Sequence, residues 1–305
     1  MRAAPRPQIA PSRYGHASSC RRAAFHGQDP AAPVRHFDKL ILTQLGAELP
    51  AIGKTHGTKP VPWLPLGWWQ TTCATQSGCY NAQMTNSLSD PTLNAVLQRL
   101  HAAAEANDPP LLSEAHRKDP HGLPLHADSE VATLLGEAYI PVPPETGTLL
   151  YLLARGAGSN RVVEFGTSFG ISTIYLAAAV RDHGGQTVIS TEINPRKVER
   201  ARRNIEAAGL AEYVEIREGD ALETLRVIDG PVDLLFLDGW KDLYLPVLKL
   251  LEPALRSEAL VVADDLDKYR EAHKPFLEFI TNPANGYVSI EIPVGDRLAL
   301  AVRTV

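Results

Sequence analysis

From residue 161 onward, short apolar runs alternate with segments of helical length, and this alternation constrains the fold more than any other feature. The runs 161–165, 187–191, 214–217, 232–237 and 260–263 read as strands buried on both faces. Helical segments separate them at about 170–182, 195–208, 221–228 and 244–255, and a last one covers about 270–280. Strand, helix, strand in steady succession implies an α/β architecture with a parallel sheet. Residues 287–292 and 298–303 then alternate around Gly295-Asp296, which predicts an antiparallel pair at one sheet edge. The expected whole is a doubly wound, seven-stranded, mostly parallel sheet with an antiparallel edge hairpin and helices at its N-terminal side.

Before the sheet, Leu93, Val96, Leu97 and Leu100 mark a helix over about 89–106, with Asp90 and Pro91 as cap and first turn. A Pro/His loop is expected up to about Asp128, then helices at about 129–138 and 145–155 flanking Ile140-Pro-Val-Pro-Pro144. These segments make residues 84–160 a helical cap on a core spanning 161–305.

Residues 1–83 differ in kind. They carry about +6 of charge against about −11 for the rest, within a total of −5. They also hold all three cysteines (Cys20, Cys73, Cys79) and three of the four tryptophans, with almost no hydrophobic period. A disordered tail, an Arg-rich leader and translation upstream of a start at Met84 are the competing readings, and the last is favoured. The acidic body disfavours nucleic acid as a partner, because phosphate contacts need a basic face. No apolar run is long enough to span a bilayer. A cysteine-free body fits a reducing, cytoplasmic setting and excludes a catalytic thiol there.

The loops after the first three strands carry a nucleotide-binding pattern. The first strand runs through Glu164-Phe-Gly166-Thr-Ser-Phe-Gly170 directly into a helix, so glycines permit a tight turn and free helix N–H groups face a ligand. The second strand ends at Glu192, 26 residues after Gly166, where an acid can accept both hydroxyls of an adenosine ribose. The third is followed by Gly219-Asp220-Ala221, where a nucleotide-binding fold meets adenine; a plain helix cap at Asp220 is compatible with that role. The gap between Gly166 and Gly170 does not supply the G-x-G-x-x-G of dinucleotide dehydrogenases.

These three motifs, with Glu192-Ile-Asn-Pro195 in the second, resemble those of class I S-adenosylmethionine-dependent methyltransferases over about residues 130–305. The likeness is specifically to the catechol and caffeoyl-CoA O-methyltransferase family and its bacterial relatives. The resemblance implies S-adenosylmethionine as cofactor, with Glu164, Gly166, Thr167, Ser168, Gly170 and Ser172 at its methionine end. It implies Glu192 at the ribose, Gly219, Asp220 and Ala221 near adenine, and Asp238 as a further cofactor contact.

The fourth strand ends Leu237-Asp238-Gly-Trp-Lys241-Asp242 and the fifth Ala263-Asp264-Asp265. Carboxyl ends of strands face one crevice in open α/β sheets, so these acids should converge there and repel one another unless a cation lies between them. All-oxygen donors suit Mg²⁺, Mn²⁺ or Ca²⁺ rather than zinc. Both stretches resemble catechol O-methyltransferase, and the resemblance implies Asp238, Asp264 and Asp265 as metal ligands, Mg²⁺ first, with Lys241 as general base. Asp265 stands where the animal enzyme has an amide, and Ala299 lies near where it has a substrate-binding glutamate, so the acceptor need not be a catechol.

The expected function is methyl transfer to a hydroxyl of a small, phenolic or catechol-like acceptor, with no nucleic acid or membrane partner and a homodimer as an open possibility. A metal-independent methyltransferase and a non-catalytic cofactor-binding protein are the alternatives.

Overall fold

The computed structural model describes residues 86–118 and 130–305. What the sequence suggests for residues 1–83, the three cysteines included, lies outside the described residues.

Seven strands form one sheet in the order β3-β2-β1-β4-β5-β7-β6. They are β1 (Arg161–Phe165), β2 (Thr187–Glu192), β3 (Val214–Glu218), β4 (Val232–Leu237), β5 (Leu255–Ala263), β6 (Tyr287–Ile292) and β7 (Leu298–Arg303). The first five pair in parallel, and β7 runs antiparallel to both β5 and β6. The helices are α1 (Pro91–Lys118), α2 (Glu130–Leu135), α3 (Pro144–Gly156), α4 (Ile171–His183), α5 (Pro195–Ala207), α6 (Ala221–Thr224), α7 (Tyr244–Leu251) and α8 (Arg270–Thr281). The fold class read from the sequence is the one observed.

Each sheet face carries its own apolar cluster. Leu93, Leu100, Leu150, Ile174 and Ile205 from α1, α3, α4 and α5 pack against Val162, Leu234 and Val262. Tyr244, Leu248 and Phe276 from α7 and α8 pack against Val163, Leu235 and Val261 on the other side. Successive strand residues point to opposite faces, which is why every residue of β4 is buried. The parallel order reverses direction between β1 and β4, opening a crevice at their carboxyl ends.

Several boundaries differ from the sequence reading, among them the end of α2 at Leu135 rather than near Ala138. The α1 helix does not stop near Ala106 but continues through Pro109 and Pro110 to Lys118. An interior proline costs about 3 kcal/mol. Against it, the buried Asp108 carboxylate accepts Tyr139 N–H at 2.9 Å and Ile140 N–H at 2.7 Å, and the Asn107 amide donates to Glu137 O at 2.9 Å. Bonds to a charged group contribute about 1.5–3 kcal/mol each and offset much of the cost of the two prolines. The α6 helix ends at Thr224 rather than near Ile228, because the Arg217 guanidinium donates to the carbonyls of Thr224 and Val227 at 2.8 and 2.7 Å. The α7 helix ends at Leu251, two residues before Pro253, and Leu255 already pairs with Val232 at the start of a longer β5.

Candidate active site

The crevice at the carboxyl ends of β1, β2, β4 and β5 holds a cavity of about 510 Å³. Its walls include Gly166, Thr167, Ser168 and Ser172 from the first turn, and Glu192, Gly219, Asp220 and Ala221 from the next two. Asp238, Lys241 and Asp265 line its far end. Eleven residues singled out in the sequence thus share one cavity.

The glycine turn fits its place because of close approach. At Gly166, φ is +105°, and a Cβ there would lie 2.6 Å from the carbonyl oxygen of Asp238, so only glycine lets β1 and β4 end side by side. Ser168 takes φ +46° and Asp265 φ +64°, sparsely populated for residues with a side chain and concentrated here at the cavity wall.

The Glu192 carboxylate is held by two backbone donors, Ser168 N–H at 2.8 Å and Asn194 N–H at 2.9 Å, one to each oxygen. Each oxygen keeps a lone pair for a further donor. The Asp220 side chain caps α6 through Leu222 N–H at 2.9 Å, so the cap role and a position on the cavity wall coexist. An oriented acid with acceptor capacity, a glycine turn and free helix N–H groups fit an adenosyl amino acid such as S-adenosylmethionine.

Three sequence-selected residues do not line the cavity. Glu164 is wholly buried beneath the turn, where Thr173 and Ser190 hydroxyls donate to it, and burial pushes its carboxyl above the usual range. Gly170 backs onto Ala201 and Ile205 of α5 and serves helix packing. Asp264 is turned away, its Oδ1 accepting Asp265 N–H at 2.7 Å, with burial and the Asp265 charge raising it to about 7.

At the far end, Lys241 Nζ lies 3.0 Å from Asp238 Oδ1 and 2.8 Å from Asp265 Oδ2, and donates to Tyr244 Oη at 3.0 Å. Burial opposes the Lys241 ammonium, but Tyr244 and the two carboxylates outweigh it and hold the lysine protonated, well above its ordinary value. Burial raises Asp265, but Lys241, Lys268 and His273 together outweigh it and pull it down, whereas burial prevails at Asp238 and pushes it well up. Two carboxylates therefore converge on one positive charge, a donor arrangement that fits a hard cation. The third, Asp264, is not aimed there, and among the described residues no three acidic, imidazole or thiol side chains are grouped to hold a metal.

Sequence reasoning missed the opposite wall. Tyr139, Ile140, Pro141 and Val142 face Trp240, Leu243 and Tyr269 across the cavity and give it an apolar pocket beside Lys241. The Tyr139 ring stacks on Phe169 of the glycine turn at 4.1 Å, and Ser168 Oγ donates to Tyr139 O at 2.7 Å. The Ile140-Pro-Val-Pro-Pro144 run, rigid and apolar between two helices, was the available signal. Tyr244 and His273, buried behind Lys241, carried none: their place depends on how α7 and α8 pack.

Residues 163–266 match the family described as a methyltransferase domain. The chain is 37% identical over 128 residues to a catechol O-methyltransferase of Mycobacterium tuberculosis, covering 42% of this chain and 57% of that protein. It is 34% identical over 139 residues to a catechol O-methyltransferase of Niastella koreensis, covering 43% and 62%. The chain thus spans less than two thirds of the length of these curated relatives. Among solved structures, the O-methyltransferase TomG from Streptomyces achromogenes, involved in tomaymycin synthesis and solved in complex with SAM, is 25% identical with a TM-score of 0.51, covering 71% of this chain and 91% of that one. Motifs, strand order and these likenesses agree: the chain has the class I methyltransferase fold, and residues 163–266 match a methyltransferase domain.

Proposed function

We propose that this protein transfers the methyl group of S-adenosylmethionine to a hydroxyl of a small acceptor, phenolic or catechol-like in character. The observation that carries this reading is one cavity with an oriented acid and glycine turn at one end, and an apolar pocket beside Lys241, Asp238 and Asp265 at the other.

S-adenosylmethionine supplies a methyl group on a sulfonium, whose departure leaves a neutral thioether. Glu192 would accept the ribose hydroxyls, Asp220 and Ala221 would flank adenine, and Gly166, Ser168 and Ser172 would meet the amino-acid end. The chain's main task is alignment, since the leaving group is already good. Trp240, Tyr269 and Val142 would hold an aromatic acceptor, and Lys241 would take its hydroxyl proton. Lys241 can do so only once the charges of Asp238 and Asp265 are balanced by something other than its own proton. A divalent cation held by Asp238 and Asp265, Mg²⁺ first, would supply such charge and favour the ionised acceptor.

A second reading, without metal, is favoured by the Lys241 ammonium itself, which already places a positive charge between the two acids. Turnover of labelled S-adenosylmethionine on a panel of phenols and catechols, with Mg²⁺ and with chelator, separates the two. Activity abolished by chelator supports the cation; undiminished activity supports the lysine charge alone. A cytoplasmic setting and a homodimer belong to the same proposal. No helix among the described residues is long and apolar enough to cross a membrane.

A further inference from the structure

Lys197 lies at the third position of α5 and lines the cavity with only 7% of its surface exposed. A buried ammonium is ordinarily paired. This one donates to Ser168 Oγ at 3.1 Å, a neutral acceptor, and lies 5.5 Å from the Phe169 ring centre. Among the described residues it forms no ion pair. The acids whose charge reaches it are Glu192, Asp108, Asp238 and Glu137. Each is engaged elsewhere. Glu192 accepts Ser168 and Asn194 N–H, Asp108 accepts Tyr139 and Ile140 N–H, Asp238 pairs with Lys241, and Glu137 pairs with Arg196 at 2.7 Å. Nor does the helix favour the charge, since a cation in the first turn opposes the helix dipole. Burial alone pushes the Lys197 amine below its ordinary value. Among the described residues, the fold thus keeps an ammonium at the cavity wall with a hydroxyl acceptor and no ion-pair partner.

We infer that Lys197 binds the carboxylate of the cofactor's amino-acid moiety, supplying the missing ion pair when the cavity fills. This rests on the methyltransferase reading and deepens it. S-adenosylmethionine carries a sulfonium, an ammonium and one carboxylate, so a cationic cavity group has a single anionic partner on it. Ser168, hydrogen-bonded to Lys197, joins that ammonium to the glycine turn and, through Tyr139 O, to the segment closing the cavity.

The test is calorimetric binding of S-adenosylhomocysteine and of its decarboxylated analogue, S-adenosyl-3-thiopropylamine, to the full chain and to Lys197→Met. The wild type should prefer the carboxylate-bearing ligand. Lys197→Met should weaken S-adenosylhomocysteine by about 10- to 100-fold, the scale of a lost charge-assisted bond, leave the analogue within about threefold, and erase the preference. Lys197→Gln, which keeps a donor for Ser168 and loses only the charge, should behave as the Met variant does and serves if that variant fails to fold. Unchanged S-adenosylhomocysteine affinity, or equal loss for both ligands, would overturn the assignment. A wild-type protein that binds neither ligand would instead overturn the methyltransferase reading beneath it.

Discussion

Lys241 Nζ stands 2.8 Å from Asp265 Oδ2, and the same ammonium reaches Asp238 Oδ1 at 3.0 Å, both side chains being about 15% exposed. Removing one member of such a buried pair leaves uncompensated charge and costs about 3–5 kcal/mol. Lys241→Met is therefore expected to lower Tm in chelator, because two acids then face each other without a cation. If those acids hold a divalent ion, Mg²⁺ or Mn²⁺ should restore much of the loss, and scanning fluorimetry with and without metal reads this directly. A variant whose Tm ignores metal would leave Asp238 and Asp265 as lysine partners only.

Glu192, proposed to bind the cofactor ribose, has a backbone N–H on each oxygen. Glu192→Ala should weaken S-adenosylhomocysteine by about 1.5–3 kcal/mol, the worth of hydrogen bonds to a charged acceptor. Unchanged affinity by calorimetry would remove Glu192 from the site.

Glu164 should make stability depend on pH. Burial raises its carboxyl in the folded protein above the ordinary 4.5, so between that value and its folded one the native state binds more proton than the unfolded. Its contribution is fully present below pH 4.5 and is lost as pH rises through the folded value. Glu164→Gln, neutral throughout, should gain stability relative to wild type as pH rises across that window. Parallel urea-unfolding curves for the two proteins at every pH would contradict this.

Ser87 ties the start of the described chain to the body of the domain. Its N–H donates to the buried Asp182 carboxylate at 2.6 Å, its hydroxyl also donates to Asp182, and Arg181 donates to that hydroxyl. A chain beginning at Met84 should keep the melting temperature of the full chain. One beginning at Pro91 should lose about 1.5–3 kcal/mol or more, since Asp182 forfeits charge-assisted bonds. Equal stability of the two would contradict the role given to Ser87.

The sheet was legible because its signals are local. The β1, β4, β6 and β7 boundaries follow from apolar runs or alternation within single segments. The continuation of α1 was not legible, because Asp108 is fastened to Tyr139 and Ile140, some thirty residues away, across a pair of prolines that reads locally as a helix end. Within the site, Gly166, Glu192 and Asp238 announce themselves by following strands. Lys197 does not: on the sequence it is one basic residue in a charged helix, and its burial against Phe169 exists only once α5 packs on the glycine turn. The inward-facing Glu164 shows the converse, a motif acid whose side chain points into the core instead of the cavity.

The central claim is that cofactor and acceptor share one cavity, with Lys241 acting on the acceptor alone, and methyl transfer by Lys241→Met tests it most directly. With labelled S-adenosylmethionine and a responsive phenol, this variant should bind S-adenosylhomocysteine within about threefold of wild type while kcat falls by about 10²–10⁴-fold at neutral pH. Part of the loss should return at high pH, where the acceptor ionises unaided. Wild-type kcat in the variant at neutral pH, or a loss of S-adenosylhomocysteine affinity equal to the loss of rate, would contradict the account.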